Sequence, residues 1–546
     1  LLRLPYFWDE AGYYIPAARD LLLSGSLVPQ STVSNAHPPL VLAWLALWWK
    51  VAGYAPVVTR TAMLVVAAFS LLGVFRLAQR VANTEIAIAS TLCTTLYPVF
   101  FAQSSLAHVD LASAGLLFWG LAAYVEDEFV AAGIWFALAA LAKETAIIAP
   151  LALVGWEMVG LLGQMFWGAD KTDLFFGKVK AGSDSSGISL RDHSLRGTSL
   201  RRIASLLLSA LPLTLWYAYH YSRTGYIFGN PEFFRYNVAA TLSPLRFFLA
   251  LLMRLWQVVA YLHLWVLTLA TVLAMLLLRP LAGAVQKQTR AGVPAPHDIF
   301  QESVGRPRIS VAMQMLFYVI VAAYVLAMAL IGGAVLARYM LPAVPLVIIV
   351  CASTLWRRVR FWPAAVACVA LAFVTGWFWN PHYGFSPEDN LAYRDYIQLH
   401  EEGERFLEAR YPMARVLTAW PASDEITRPW LGYITRPMQV VRMENFSLDE
   451  MLSAAELRSN FEVALIFSTK YEPGPAPWDR WQQWNKWKSR FFDFHRDLPP
   501  AAAAQILGGR VVFSAARTGQ WIAVIELGRD EIQNARLNQN KSESSN

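Results

Sequence analysis

The sequence predicts an α-helical polytopic membrane protein that ends in an α/β domain, and three observations carry that expectation. Hydrophobic residues fill 56% of the 546 positions and aromatic ones 13%, too apolar for one ordinary soluble core. Stretches near the roughly 18 apolar residues that cross a hydrocarbon core recur up to Asn380. Beyond Asn380 the pattern turns mixed, with short apolar runs set between helical ones.

About ten spans are expected, near residues 57–75, 86–107, 111–125, 129–142, 145–163, 203–219, 257–278, 313–337, 341–355 and 361–379. Only 16% of residues are charged, yet the net charge is +7. That surplus gathers in particular loops, as cytoplasmic Lys and Arg do, and argues against a nucleic-acid partner. Arg76 and Arg80, the segment Lys171 to Arg202, the segment Arg279 to Arg308, and Arg357, Arg358 and Arg360 mark alternate loops as cytoplasmic. The acidic turn Glu126, Asp127, Glu128 falls on the same side, where acids carry little topological weight. Residues 164–202, rich in Gly, Ser and charge at their centre, are expected to form a flexible cytoplasmic connection. The chain opens LLRLPYFWDE, without Met or a signal-peptide pattern, and a preceding first span is expected. Cys93, Cys351 and Cys368 all lie in apolar stretches and read as small hydrophobic residues.

Residues 1–380 thus form the expected membrane domain and 381–546 an extracytoplasmic α/β domain. In the latter, ARVLTAW, FEVALIF and RVVFSA read as buried strands, and YRDYIQLHEEGERFLEARY as an amphipathic helix. Ser447, three residues before Glu450, marks a helix start. Trp478, Trp481, Trp484 and Trp487 recur every third residue among Lys and Arg; packing within the domain is the plainer reading, and stacking on sugar or lying among lipid headgroups the other.

The loops between the basic ones hold nearly every unusual polar residue close to a span, which points to one reaction face. Asp9 and Glu10, in YFWDEAGYY, precede an amphipathic stretch and the NAHPPL segment with His37. A carboxylate here can take a proton from an acceptor hydroxyl, or it can be a solvated acid favoured by a helix dipole. Asp110, after His108 in SSLAHVDLASAG, stands between two apolar runs, where an ionised group needs a partner or a task; capping the next span is the alternative. Lys143 and Glu144, in LAALAKETAII, can form a mutual ion pair at a tight turn, or Lys143 can neutralise a lipid phosphate. Arg338 and Tyr339, in GAVLARYMLPAVP, allow the same phosphate role, against that of interfacial anchors. Arg223, Arg235 and Tyr236 fall in a turn-rich external loop that can shape the same site. No HExxH, GxxxxGK[ST] or GxSxG motif occurs, which removes support for zinc-protease, ATP-driven and nucleophile-elbow chemistry.

In these residues the chain resembles the GT-C superfamily of polytopic glycosyltransferases, in the branch of protein O-mannosyltransferases and the lipid A aminoarabinose transferase. FWDEAGYY looks like the family's acidic motif in the first external loop, HPPL like its PPL element, Asp110 like its second acid, AKETA like its lysine turn, and ARYMLPAVP like its late arginine-tyrosine span. The resemblance implies a GT-C-like fold over residues 1–380, with Asp9 as general base, Glu10 holding it or binding a cation, and Asp110 as second acid. Lys143 and Arg338 would face the donor phosphate, with Arg223 beside them and His37, His108, Glu144 and Tyr339 around the site. Glu144 stands where many relatives carry a small residue. The implied partners are a polyprenyl-phosphate sugar donor, membrane lipids and a lipid, glycan or protein acceptor, in a bacterial-type inner membrane with the active face outside. A divalent cation is compatible and not required. The rival from another class is a transporter or lipid-linked sugar flippase, whose matching halves with paired broken helices the sequence lacks.

Overall fold

The computed structural model describes residues 1–167, 199–231, 234–235, 241–281, 306, 308–331, 333–473, 480–492 and 494–528. The flexible connection expected at 164–202 lies outside the described residues from 168 to 198; its two ends belong to the helices Ile148–Trp167 and Ser199–Thr224. Tyr236, Trp478 and most of the basic segment 279–308 also lie outside them.

Among the described residues five helices are long and apolar enough to cross a membrane: Pro56–Val81, Glu144–Gly163, Ser199–Thr224, Pro244–Leu277 and Val311–Leu330. Shorter apolar helices occupy Leu40–Ala52, Thr84–Leu96, Val109–Val125, Phe129–Ala142 and Trp362–Phe378. Proline marks several starts, at Pro56, Pro98, Pro244 and Pro363, where a missing N–H costs nothing. The same rule breaks the span expected at 86–107. Pro98 holds Tyr97 at φ −58° and ψ 125°, so one helix ends at Leu96 and another, Pro98–Gln103, begins. The expected 257–278 span has a longer counterpart, because Pro244–Val259 precedes it through a sharp turn at Leu262 and His263, both with positive φ.

Helices Pro56–Val81 and Val109–Val125 pack closely through small residues. A Cβ on Gly115 would fall 1.9 Å from Ser70 Oγ, so this crossing excludes any side chain there.

The C-terminal region carries a five-stranded sheet of order β2-β1-β3-β5-β4, with β1 Arg415–Ala419, β2 Gln439–Met443, β3 Val463–Phe467, β4 Gly509–Arg517 and β5 Gln520–Leu527. β1 pairs in parallel with β2 and β3, whereas β5 runs antiparallel to β3 and β4. Every residue of β3 is buried, as its unbroken apolar run requires, while the edge strands β2 and β4 are partly exposed. The amphipathic helix Ala392–Arg410 packs on this sheet, and Ser447 accepts a hydrogen bond from the Glu450 amide at 3.5 Å as its spacing suggests. One apolar core joins the sheet to the N-terminal segment, containing Tyr6, Phe7 and Ile15 together with Val416, Leu465 and Ile525. Tyr433 Oη donates to the Tyr6 carbonyl at 2.9 Å, and Tyr54 Oη to the Trp430 carbonyl at 3.0 Å. The sheet therefore docks directly on the turn that carries Asp9 and Glu10.

Candidate active site

The FWDEAGYY segment forms a π-helical turn, Glu10–Tyr14, entered through Trp8 at φ 36°. The wide turn gives adjacent acids opposite surroundings. Glu10 is fully buried: it accepts from the Phe7 amide at 2.8 Å and the Ala107 amide at 2.5 Å, and it pairs with Arg60. Arg60 in turn donates to the carbonyls of Pro5 at 2.7 Å and Ser105 at 2.9 Å. Glu10, expected beside Asp9 in the site, thus ties the N-terminal segment to two neighbours and does not line the cavity described below. Asp9 faces the other way, with its side chain 31% exposed and no capping bond to the turn behind it.

Arg338 is the hub. Its Nη2 donates to Asp9 Oδ2 and its Nη1 to Glu388 Oε2, both at 2.5 Å, and its Nε lies 3.4 Å from Asp110 Oδ2. Asp110 also pairs with Lys143, whose ammonium sits over the Tyr339 ring at 3.9 Å from the centroid. The N-cap position is His108, without a side-chain cap bond, so Asp110 does not cap the helix; it pairs with Lys143 and Arg338 behind the residues that line the cavity described below. The Lys143–Glu144 ion pair does not form. Lys143 is extended at φ −152° and pairs with Asp110, while Glu144 opens the 3-10 turn Glu144–Ile147. Glu144 instead accepts from His37 Nδ1 at 3.1 Å, and His37 stacks against Tyr14. Arg223 is exposed and lines no part of the cavity; the last turn of its helix points it away.

These groups border a cavity of about 2130 Å³ that Asp9, Lys143, Glu144, His37, Arg338, Tyr339 and Glu388 line on one side. Ile148, Leu213, Tyr217, Met253 and Ile331 line an apolar part. The volume is about twice the upper range for a small-molecule pocket, on the order of 1,000 Å³. Trp484, Lys488 and Phe492 also face it, from a helix, Gln482–Phe492, that buries none of its residues. Among the described members of the Trp series, Trp481 is exposed and Trp484 and Trp487 are half-buried, and Trp481 meets Trp487 edge to face at 5.5 Å.

Glu388 and Asp389 escaped the sequence reading. They occupy the short turn Pro387–Asp389 just after the last span, at the expected junction of two domains, where PED reads as linker. Their signal was the same as that of Asp9 and Glu10: two adjacent acids beside a span. Burial pushes the Glu388 carboxyl well above the usual range, opposed by the Arg338 charge and reinforced by Asp9. Burial likewise lifts Asp389 to about 7, against the Tyr261 hydroxyl that donates to it at 2.6 Å. His108, buried and next to the Arg338 charge, is held well below its ordinary value and is neutral. Its Nδ1 lies 2.8 Å from Gln103 Oε1, and Gln103 Nε2 donates to the Glu388 carbonyl at 3.1 Å.

Asp9, His108 and Glu388 offer donor atoms within 4.8 Å of one another. They do not fit a cation as they stand. The Arg338 guanidinium already fills the space between them, 3.0 Å from His108 Nδ1.

Residues 36–166 match the family model described as dolichyl-phosphate-mannose-protein mannosyltransferase. The structure is similar to ArnT from Cupriavidus metallidurans bound to undecaprenyl phosphate, at a TM-score of 0.52 and 13% identity, covering 97% of this chain and 96% of that one. The chain has a GT-C-like fold. The apo form of the same ArnT gives a TM-score of 0.48 at 14% identity, covering 97% and 95% of the two chains. The oligosaccharyltransferase AglB from Archaeoglobus fulgidus gives 0.41 at 10%, covering 95% and 70%. No curated sequence matches the chain significantly. In this GT-C-like fold Asp9, Lys143 with Glu144, Arg338, and Glu388, from separate parts of the chain, reach one cavity within an integral membrane protein.

Proposed function

We propose that this chain is a membrane glycosyltransferase that moves a sugar from a polyprenyl-phosphate carrier to an acceptor hydroxyl, working at the extracytoplasmic face of a bacterial-type inner membrane. The observation that carries the reading is the meeting of Asp9, Lys143 and Arg338 at one large, partly apolar cavity. A relative of the same fold, solved with undecaprenyl phosphate bound, supports a lipid-phosphate carrier here.

In this reading the carrier's chain lies along the apolar wall and its phosphate exchanges with carboxylates for Lys143 and Arg338. Their charge stabilises the negative charge that grows on the phosphate as the anomeric C–O bond breaks and the electron pair leaves with it. Asp9 is the base. It is the most open carboxylate of the cluster, with Asp110 at 2% and Glu388 at 4% side-chain exposure, so an incoming hydroxyl reaches it first. The acceptor oxygen bonds to the anomeric carbon as its proton passes to Asp9. A single displacement of this kind inverts the anomeric centre. Asp110 holds Lys143 and Arg338 in place between turnovers.

Reconstituted vesicles supplied with defined polyprenyl-phosphate sugars and candidate acceptors test the reading. Glycoside formation is expected, and Lys143→Met should weaken use of the donor more than use of the acceptor. Movement of the lipid-linked sugar across the bilayer without any glycoside would overturn it.

A further inference from the structure

A second polar cluster lies beneath the outer sheet, away from the cavity's ion pairs. His400 and Glu404 stand one helical turn apart on Ala392–Arg410 and face the same way, and Glu425 closes the short helix Ala422–Glu425 that follows β1. All three are buried, at 1%, 0% and 0% exposure. His400 Nδ1 lies 2.6 Å from Glu425 Oε2 and 3.6 Å from Glu404 Oε1. Among the described residues no lysine or arginine pairs with either glutamate.

Apart from the His400–Glu425 bond and a proton that the two carboxylates can share, hydrogen bonding leaves this cluster unsatisfied. Beyond a proton shared between the two carboxylates, no N–H or O–H group of another residue donates to either oxygen of Glu404 or to Glu425 Oε1, and His400 Nε2 has no partner. Outside the triad, Tyr396 is 3% exposed and its hydroxyl is also unpartnered. Its ring stacks on His400 at 4.0 Å between centroids, and its hydroxyl feels the charge of both glutamates. Phe467 closes over His400 edge-on at 4.5 Å. Two carboxylates sunk in such surroundings without a cation are costly, and a proton shared between them leaves most of the oxygens unmet.

We propose that His400, Glu404 and Glu425 form a divalent-cation site of zinc type. One donor atom from each lies within 4.8 Å of the others, compact enough for one ion to reach all three, and an imidazole with two carboxylates is a nitrogen-oxygen donor set that zinc accepts. The ion would neutralise the paired charge and take up the unmet oxygens together. It would also staple the Ala392–Arg410 helix to the segment that begins at Trp420, whose ring packs on Trp8 beside Asp9. The site is structural, and the proposal is independent of the transferase reading.

The test uses the full chain in detergent, stripped with a chelator and titrated with zinc, followed by metal content and thermal unfolding. Wild type and Asp9→Asn should each retain about one zinc ion and gain melting temperature on zinc addition. Glu404→Gln and Glu425→Gln should bind at least about tenfold more weakly and show no gain. Zinc-edge X-ray absorption of wild type should report imidazole and oxygen neighbours without sulfur, which decides the matter if a variant fails to fold. Wild type without stoichiometric zinc, equal retention by Glu404→Gln, or a spectrum lacking imidazole would overturn the site.

Discussion

Arg338 donates to Asp9 and to Glu388, and its Nε lies 3.4 Å from Asp110 Oδ2 as an ion pair, so one guanidinium engages three carboxylates. A lysine supplies one point charge and cannot reproduce that fork. Arg338→Lys should therefore lower transfer by about 10²-fold or more, the cost of losing a positioned charge at a developing anion, with donor KM and kcat both affected in a steady-state assay. Glu10 calls for a different readout. Removing one partner of its buried pair with Arg60 leaves an uncompensated charge, a loss on the order of 3–5 kcal/mol. Glu10→Gln should reduce folded yield and melting temperature, while the protein that does fold keeps most of its kcat. Asp389 adds a pH dependence. Its carboxyl is raised from 3.8 to about 7, so the folded state holds a proton that the unfolded state has already lost. Stability from this group is full below about pH 4 and falls as pH rises toward 7. Asp389→Asn should flatten that part of the melting-temperature profile between pH 4 and 7, and an unchanged slope would contradict the assignment. At this scale the sequence told which residue types mattered but not which way they faced. Adjacent acids such as Asp9 and Glu10 look alike in a string of letters, and only the π-helical turn separates the one in the cavity from the one in the core.

Among elements, the turn of Asp9 depends on contact with the outer region. A Cβ on Gly12 would lie 2.3 Å from the Trp420 ring, so glycine is what lets that ring settle against the turn. Gly12→Val should displace Trp420 and cut transfer severely, with quenching of tryptophan fluorescence used to follow the lost contact. Long apolar helices were legible because hydropathy over 18 residues is a strong signal. Pro244–Val259 was not, since Arg246 and Arg254 interrupt its apolar run; both are buried, and Arg254 donates to the Leu336 carbonyl at 2.6 Å behind Arg338. Leu40–Ala52 is too short to count as a span by length alone. In the sheet, β1 and β3 followed from their apolar runs as buried strands, whereas RVVFSA, expected to be buried, forms the edge strand β4 with no buried residue, and the edge strand β2 mixes exposed and half-buried residues and gave no such run.

For the whole molecule, the helix Pro56–Val81 sets the scale. It carries Arg60 beside the site and, about 24–30 Å further along at ~1.5 Å per residue, Arg76 and Arg80. That distance is close to the thickness of a hydrocarbon core, roughly 30 Å. Arg76 and Arg80 meet Glu126 there, and Arg202 pairs with Asp127 and Glu157. Two of the three acids in the turn that stood against the charge pattern, Glu126 and Asp127, are thus paired with the basic residues around them. Single cysteines placed at Val33 and at Arg80 should react with an impermeant maleimide from opposite faces of sealed vesicles, Val33 from the extracytoplasmic one. The most direct measurement compares wild type with Asp9→Asn for sugar transfer from a polyprenyl-phosphate donor in reconstituted membranes. Asp9→Asn should still bind donor while transfer falls by about 10²–10⁴-fold, the range for a lost general base; equal transfer by the two proteins would remove Asp9 from the chemistry.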